Sequence, residues 1–112
     1  MDNCLFCRII AGEIPSAIVY EDEWAVAFRD IAPAAPIHIL VVPRNHVRNI
    51  LEAVSHPGLM DGLTKAAAAV ARAEGLDKSG FRVSINTGAD AGQTVEHLHL
   101  HLLGGRALGP MG

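Results

Sequence analysis

Residues 97–103 read His-Leu-His-Leu-His-Leu-Leu. Alternation with period two is the signature of a β-strand that has one apolar and one polar face. The leucines define a core side, and the other side would carry three imidazoles spaced roughly 6–7 Å apart, since a strand rises about 3.3 Å per residue. Thr, Ser or Lys would make a wet strand face at far less cost. Imidazole is the side chain that serves as nucleophile, base, acid and metal ligand near neutral pH. The segment therefore constrains both the local fold and the chemistry built on it.

The 112 residues are enough for one domain, 1–112, with a core that needs no staples. A formal net charge of −3 offers no field for wrapping nucleic acid, and no basic run suggests a membrane surface. A single small nucleotide needs no such field. Met1-Asp2-Asn3-Cys4 lacks the basic start of a signal peptide, and no stretch has transmembrane length. Cytoplasmic residence is the expectation.

Along the chain, residues 3–12 read as a short helix capped by Asn3 and ended by Gly12. Residues 17–21 and 24–29 form a hairpin around Asp22-Glu23, and residues 30–36 make a loop held by Pro33 and Pro36. Residues 37–42 are a buried strand ended by Pro43. Leu59, Leu63, Ala66 and Val70 share one face of a long helix from about Pro57 to Glu74, stopped by Gly75. The small residues Ala66 to Ala69 let it lie close to a sheet. Residues 81–87 form another strand, and a glycine-containing loop, 88–94, leads into the histidine strand at 95–103. The sum is an α+β domain: a five-stranded antiparallel sheet with one long helix and a short N-terminal helix.

On residue types alone, a metal cage and metal-free catalysis are equally good readings of the three histidines. Gly92-Gln93-Thr94 just before them offers backbone N–H groups, an amide and a hydroxyl, the makings of an anion nest beside a nucleophile. Asp30 closes a strand and by itself reads as a turn aspartate. Cys4 and Cys7, the only cysteines, form a Cys-x-x-Cys pair that suggests metal or redox chemistry in a reducing compartment.

His-Leu-His-Leu-His-Leu-Leu resembles the motif of the histidine-triad nucleotide-binding proteins. Phe28-Arg29-Asp30-Ile31-Ala32-Pro33, Ala35-Pro36-Ile37-His38 and Val42-Pro43-Arg44-Asn45-His46 resemble upstream segments of that family. Asn86-Thr87-Gly88, Gly92-Gln93-Thr94-Val95 and Gly104-Gly105-Arg106 are similar to its Hint branch, so the likeness runs from about Cys4 to Arg106. The resemblance implies hydrolysis of purine nucleoside phosphoramidates through a nucleotidyl intermediate on His99, with no catalytic metal. It implies that His101 contacts phosphate, with His38 behind it, and that Thr94 stands near the leaving group. Asn86, Gly92 and Gln93 would position phosphate, Asp30 would bind ribose, and Leu5, Phe6, Ile9, Phe28 and Ile31 would form the slot for the base.

Cys4 and Cys7 share one face of the short helix, and with His46 and His97 they match the Cys₂His₂ composition of a structural zinc site. Some bacterial relatives resemble this arrangement. The family further implies a homodimer and a small-molecule purine nucleotide as partner. A dinucleoside polyphosphate hydrolase of the same family, and a nucleotide-binding regulatory module with incidental catalysis, are the rival readings. Two features depart from the family pattern. Glu96 stands where relatives place an apolar residue and is expected to reach solvent. The tail 107–112 is only loosely like the family's ending, which approaches the partner subunit's site.

Overall fold

The computed structural model describes residues 3–111. Its elements in chain order are α1 (Leu5–Ile10), β1 (Ile18–Glu21), β2 (Ala25–Arg29), β3 (Ile37–Pro43), α2 (Ile50–Ala53), α3 (Leu59–Ala73), β4 (Arg82–Ser84), a 3₁₀ turn (Ala89–Ala91) and β5 (Leu100–Gly104). All strand pairings are antiparallel, in the order β1-β2-β3-β5-β4. The expected α+β architecture, with five strands and one long helix, is the one observed.

β2 and β3 are buried on both faces, with residues of different size on each, whereas β5 is fully buried only on its leucine side. Ala25 and Ala27 of β2, Ile39 and Val41 of β3, and Leu100 and Leu102 of β5 face α3, where Leu59, Leu63, Ala66 and Val70 complete the main core. The small side chains at 25, 27, 66 and 67 let the helix approach the sheet closely. The opposite face of β2 and β3 carries Val26, Phe28, Leu40 and Val42, covered by Phe6 and Ile9 of α1. Six residues are too few for a helix to persist alone in water. Burial of Phe6 and Ile9, at roughly 1.5–3 kcal/mol each, is what holds α1 in place.

Both glycine stops hold, for one geometric reason. Gly75 adopts φ +76°, and the next two N–H groups turn back: Gly75 N–H donates to the Arg72 carbonyl and Leu76 N–H to that of Ala71. This pattern satisfies carbonyls that the helix leaves open and buries Leu76 against the core. Gly12 ends α1 in the same way, through Gly12 N–H to Ile9 and Glu13 N–H to Arg8.

Several boundaries differ from expectation. The cap of α1 is Cys4, not Asn3: its Sγ accepts the Cys7 N–H at 3.4 Å. The long helix starts at Leu59, after a left-handed Gly58, rather than at Pro57. A single turn, α2, was not foreseen, although Asn49 caps it by accepting the N–H groups of Leu51 and Glu52. The strand expected over 81–87 is only Arg82–Ser84. The largest difference is at the histidines. β5 begins at Leu100, so His97 and His99 precede the strand and only His101 lies in it.

Candidate active site

The face expected to be wet is largely covered. His97 is fully buried, His99 retains 6% exposure and His38 7%. Buried imidazoles need partners, and those partners make the histidines unequal.

His99 Nδ1 donates to the carbonyl of His97 at 2.7 Å. The proton is thereby fixed on Nδ1, and the Nε2 lone pair is left free. Phe6 packs edge-on against the ring, with centroids 5.0 Å apart, and holds its orientation. His101 carries the opposite tautomer. Ala34 N–H donates to His38 Nδ1 at 3.0 Å, so the proton of His38 sits on Nε2. That Nε2–H donates to His101 Nδ1, also at 3.0 Å, which leaves His101 with its proton on Nε2. One backbone amide thus sets two histidines in series. Burial, and then the neighbouring His99 and His38, pull His101 down to about 4, so it stays neutral near pH 7. The two rings are 4.9 Å apart. One presents a lone pair and the other an N–H.

These rings open on a pocket of about 340 Å³. Leu5, Phe6, Ile9, Phe28 and Ile31 line it together with Asp30, Thr94, His99 and His101. Asp30 follows β2, and its two oxygens have different tasks. Oδ1 accepts the Ala32 N–H at 2.8 Å, the turn role, while Oδ2 lies 3.5 Å from His38 Nε2. Ile14, Pro15, Ser16, Leu40 and Val95 also line the pocket and were not foreseen. For Leu40 the signal was present, since it stands two residues after His38 on a strand and must share its face. The contribution of 14–16 is tertiary and has no local signature.

Asn86, Gly92 and Gln93 are not among the lining residues. The Gln93 amide is committed inside its own loop: Oε1 accepts the Gly88 N–H, and Nε2 donates to the carbonyls of Arg48 and Val95. It braces the approach to the histidines. Nor do His97, His99 and His101 converge on one centre, because His97 faces away from the pocket.

His97 Nδ1 instead meets Cys4 Sγ at 3.4 Å, Cys7 Sγ at 3.5 Å and His46 Nδ1 at 3.1 Å, and Cys7 Sγ lies 3.2 Å from His46 Nδ1. The four donor atoms lie within 4.8 Å of one another. A tetrahedral zinc with bonds of about 2.0–2.1 Å to nitrogen and about 2.3 Å to sulfur separates its ligands by roughly 3.3–3.8 Å, close to these spacings. His97 Nε2 donates to the Pro43 carbonyl at 2.9 Å, the outer contact that turns Nδ1 toward a metal. Burial and the adjacent Cys4 push the Cys7 thiol up to about 11, while burial, with His46 and His99 nearby, lowers His97 to about 4. A dication reverses the first effect by favouring thiolate and suits the neutral imidazole. The residues fit zinc. The four potential donors lie outside the histidine pocket and leave no position open, the pattern of a structural site.

The sequence profile of the HIT domain matches residues 11–108. The chain belongs to the HIT domain family. It is 43% identical over 111 residues to the purine nucleoside phosphoramidase of Escherichia coli strain K12, covering 98% of this chain and 93% of the relative. It is 45% identical over 109 residues to a 14 kDa zinc-binding protein of Brassica juncea, covering 95% and 96%. A HIT family hydrolase from Clostridium thermocellum superimposes with a TM-score of 0.94 at 47% identity, covering 99% of this chain and 97% of that one. Within this HIT domain, α1 is the element shared by both sites. Cys4 and Cys7 turn toward His46 and His97, and Leu5, Phe6 and Ile9 turn toward the pocket.

Proposed function

We propose that this HIT domain hydrolyses purine nucleoside phosphoramidates through a covalent intermediate on His99. The observation that carries the reading is the pair of adjacent imidazoles with opposite tautomers at the floor of an apolar pocket. The pocket takes the base among Leu5, Phe6, Ile9, Phe28 and Ile31, and Asp30 takes the ribose hydroxyls. His99 Nε2 attacks the α-phosphorus as the P–N bond to the amine breaks. The departing nitrogen takes a proton from water through the Thr94 hydroxyl at the pocket mouth. The ring of His99 becomes cationic as the Nε2–P bond forms, and the His97 carbonyl on Nδ1–H accommodates that charge. His101 Nε2–H meets the phosphoryl oxygens, and His38 keeps that proton in place. Water then attacks phosphorus and passes its proton, through the Thr94 hydroxyl, to the hydroxide left by the first step; the Nε2–P bond breaks, and the nucleoside monophosphate leaves with His99 regenerated. Two easier displacements replace one hard one, and positioning with charge stabilisation suffices for phosphoryl chemistry.

The family position of Asn86, Gly92 and Gln93 supports a role for this loop in positioning phosphate and leaving group, with the Gln93 amide bracing it. Cys4, Cys7, His46 and His97 would hold a structural zinc, which supplies no step of the reaction. The homodimer and cytoplasmic residence belong to the same proposal. In support of the first, β4 is an uncovered edge strand with Phe81 and Val83 exposed. Among the described residues no helix is long and apolar enough to cross a membrane.

The test is to mix the protein with an adenosine phosphoramidate, quench in the steady state and measure intact mass. A nucleotidyl adduct in the wild type, lost together with turnover in His99→Ala, is expected. Unchanged turnover in His99→Ala would remove the mechanism. Faster turnover of a dinucleoside polyphosphate, measured side by side, would move the assignment to the rival activity.

A further inference from the structure

A second cavity, of about 380 Å³, adjoins the first. The two share Leu5, Thr94 and Val95, so a groove leaves the His99–His101 floor, passes Thr94 and continues outward. Beyond Thr94 it is lined by Asn3, Cys4, His46, Arg48 and Glu96. It is much more polar than the base pocket. A nucleotide with its base in the apolar pocket and its phosphorus at His99 would send its leaving group along this groove.

The charges along it are unevenly compensated. Arg48 is occupied: its Nε lies 3.0 Å from Glu52 Oε2, and its backbone N–H donates to Glu52 Oε1 at 3.2 Å. A Cys₂His₂ site holding zinc is neutral, two thiolates against one dication. Glu96 is exposed and, among the described residues, has neither an ion pair nor a side-chain hydrogen bond. Among the described residues it is the uncompensated charge of the groove.

Resting on the phosphoramidase reading, we infer that this cavity is the leaving-group subsite and that Glu96 makes it select amines carrying a second positive charge. Leaving amines that end in an ammonium fit it, and leaving groups bearing a carboxylate are repelled. Sequence order supports the placement, since Glu96 follows Thr94 by two residues and precedes the histidine segment. Glu96 therefore reaches solvent as expected, but does so at the exit of the reaction groove.

The test uses three adenosine 5′-phosphoramidates of equal chain length, whose leaving amine ends in an ammonium, a methyl group or a carboxylate. In the wild type at low salt, kcat/KM is expected to favour ammonium over methyl by about two- to five-fold, the range of one exposed ion pair, with the carboxylate slowest. The ammonium-to-methyl ratio should fall to about one in Glu96→Gln and invert in Glu96→Lys, and added salt should compress it in the wild type. A wild-type ratio of one, or the same ratio in Glu96→Gln, would overturn the inference. Absence of turnover with all three substrates would instead overturn the phosphoramidase reading beneath it.

Discussion

His101 is held neutral by its surroundings, and this has a measurable consequence for stability. Its proton affinity falls from the ordinary 6.5 to about 4, first through burial and then through His99 and His38. The unfolded chain binds a proton at this position below 6.5, whereas the native protein does not do so until about 4. Native stability from this group is therefore complete above 6.5, is lost as pH falls from 6.5 toward 4, and levels off below that. A wholly shielded histidine with this displacement would contribute about 3 kcal/mol. His101 is only partly buried, and solvent screening reduces the figure to about 1–2 kcal/mol. The perturbation is His101→Asn, whose side-chain oxygen can still accept from His38 Nε2–H but cannot titrate. Urea unfolding at about pH 7.5 and about pH 4.5, on both proteins, isolates the term from every other titrating group. The wild type should lose about 1–2 kcal/mol more than the variant, a midpoint difference of roughly 0.5–1.5 M. Equal losses would refute the reasoning, as would a direct NMR titration of His101 near 6.5.

Two further outcomes follow from packing and from the shared helix. Zinc bound by Cys4, Cys7, His46 and His97 should raise the melting temperature and also tighten AMP binding by calorimetry, because α1 carries both Cys ligands and three pocket residues; AMP affinity indifferent to chelation, with metal loss verified, would separate the two sites. Gly62→Ala should destabilise the protein by about 1–2 kcal/mol in urea unfolding even though Ala is the better helix former by roughly 1 kcal/mol. The added Cβ would lie 2.6 Å from Cγ and 2.8 Å from Cβ of Trp24, root atoms that cannot swing aside. The same change made in Trp24→Gly, which removes both atoms, should be neutral or stabilising, and a loss there would show that the clash is not the cause.

Much of the fold is written in local pattern. The face of α3, the two glycine stops and the hairpin around Asp22 follow from periodicity and turn chemistry that any short window displays. The Cys/His cluster was legible as a composition, two cysteines and two histidines, and the apolar lining of the pocket through the resemblance of its segments to the family. The histidine segment misled in one respect. Its alternation described a strand from 95, yet the ladder starts at Leu100, because β5 pairs with β3 only from Val41↔Leu100 onward. Period two marks alternating environments, and here the backbone bends at 95–97 before the ladder begins.

The sequence by itself determined which groups are available for chemistry, since only side-chain identity supplies imidazole, thiol and carboxylate. What tertiary structure decided was how those identical groups differ. Nothing in His-Leu-His-Leu-His distinguishes its three imidazoles. The difference comes from the His97 carbonyl on His99, from the Ala34 amide acting through His38 on His101, and from Cys4, Cys7 and His46 gathered around His97. A ring's tautomer is set by the atom that meets its other nitrogen. For His101 and His97 that atom belongs to a part of the chain more than fifty residues away.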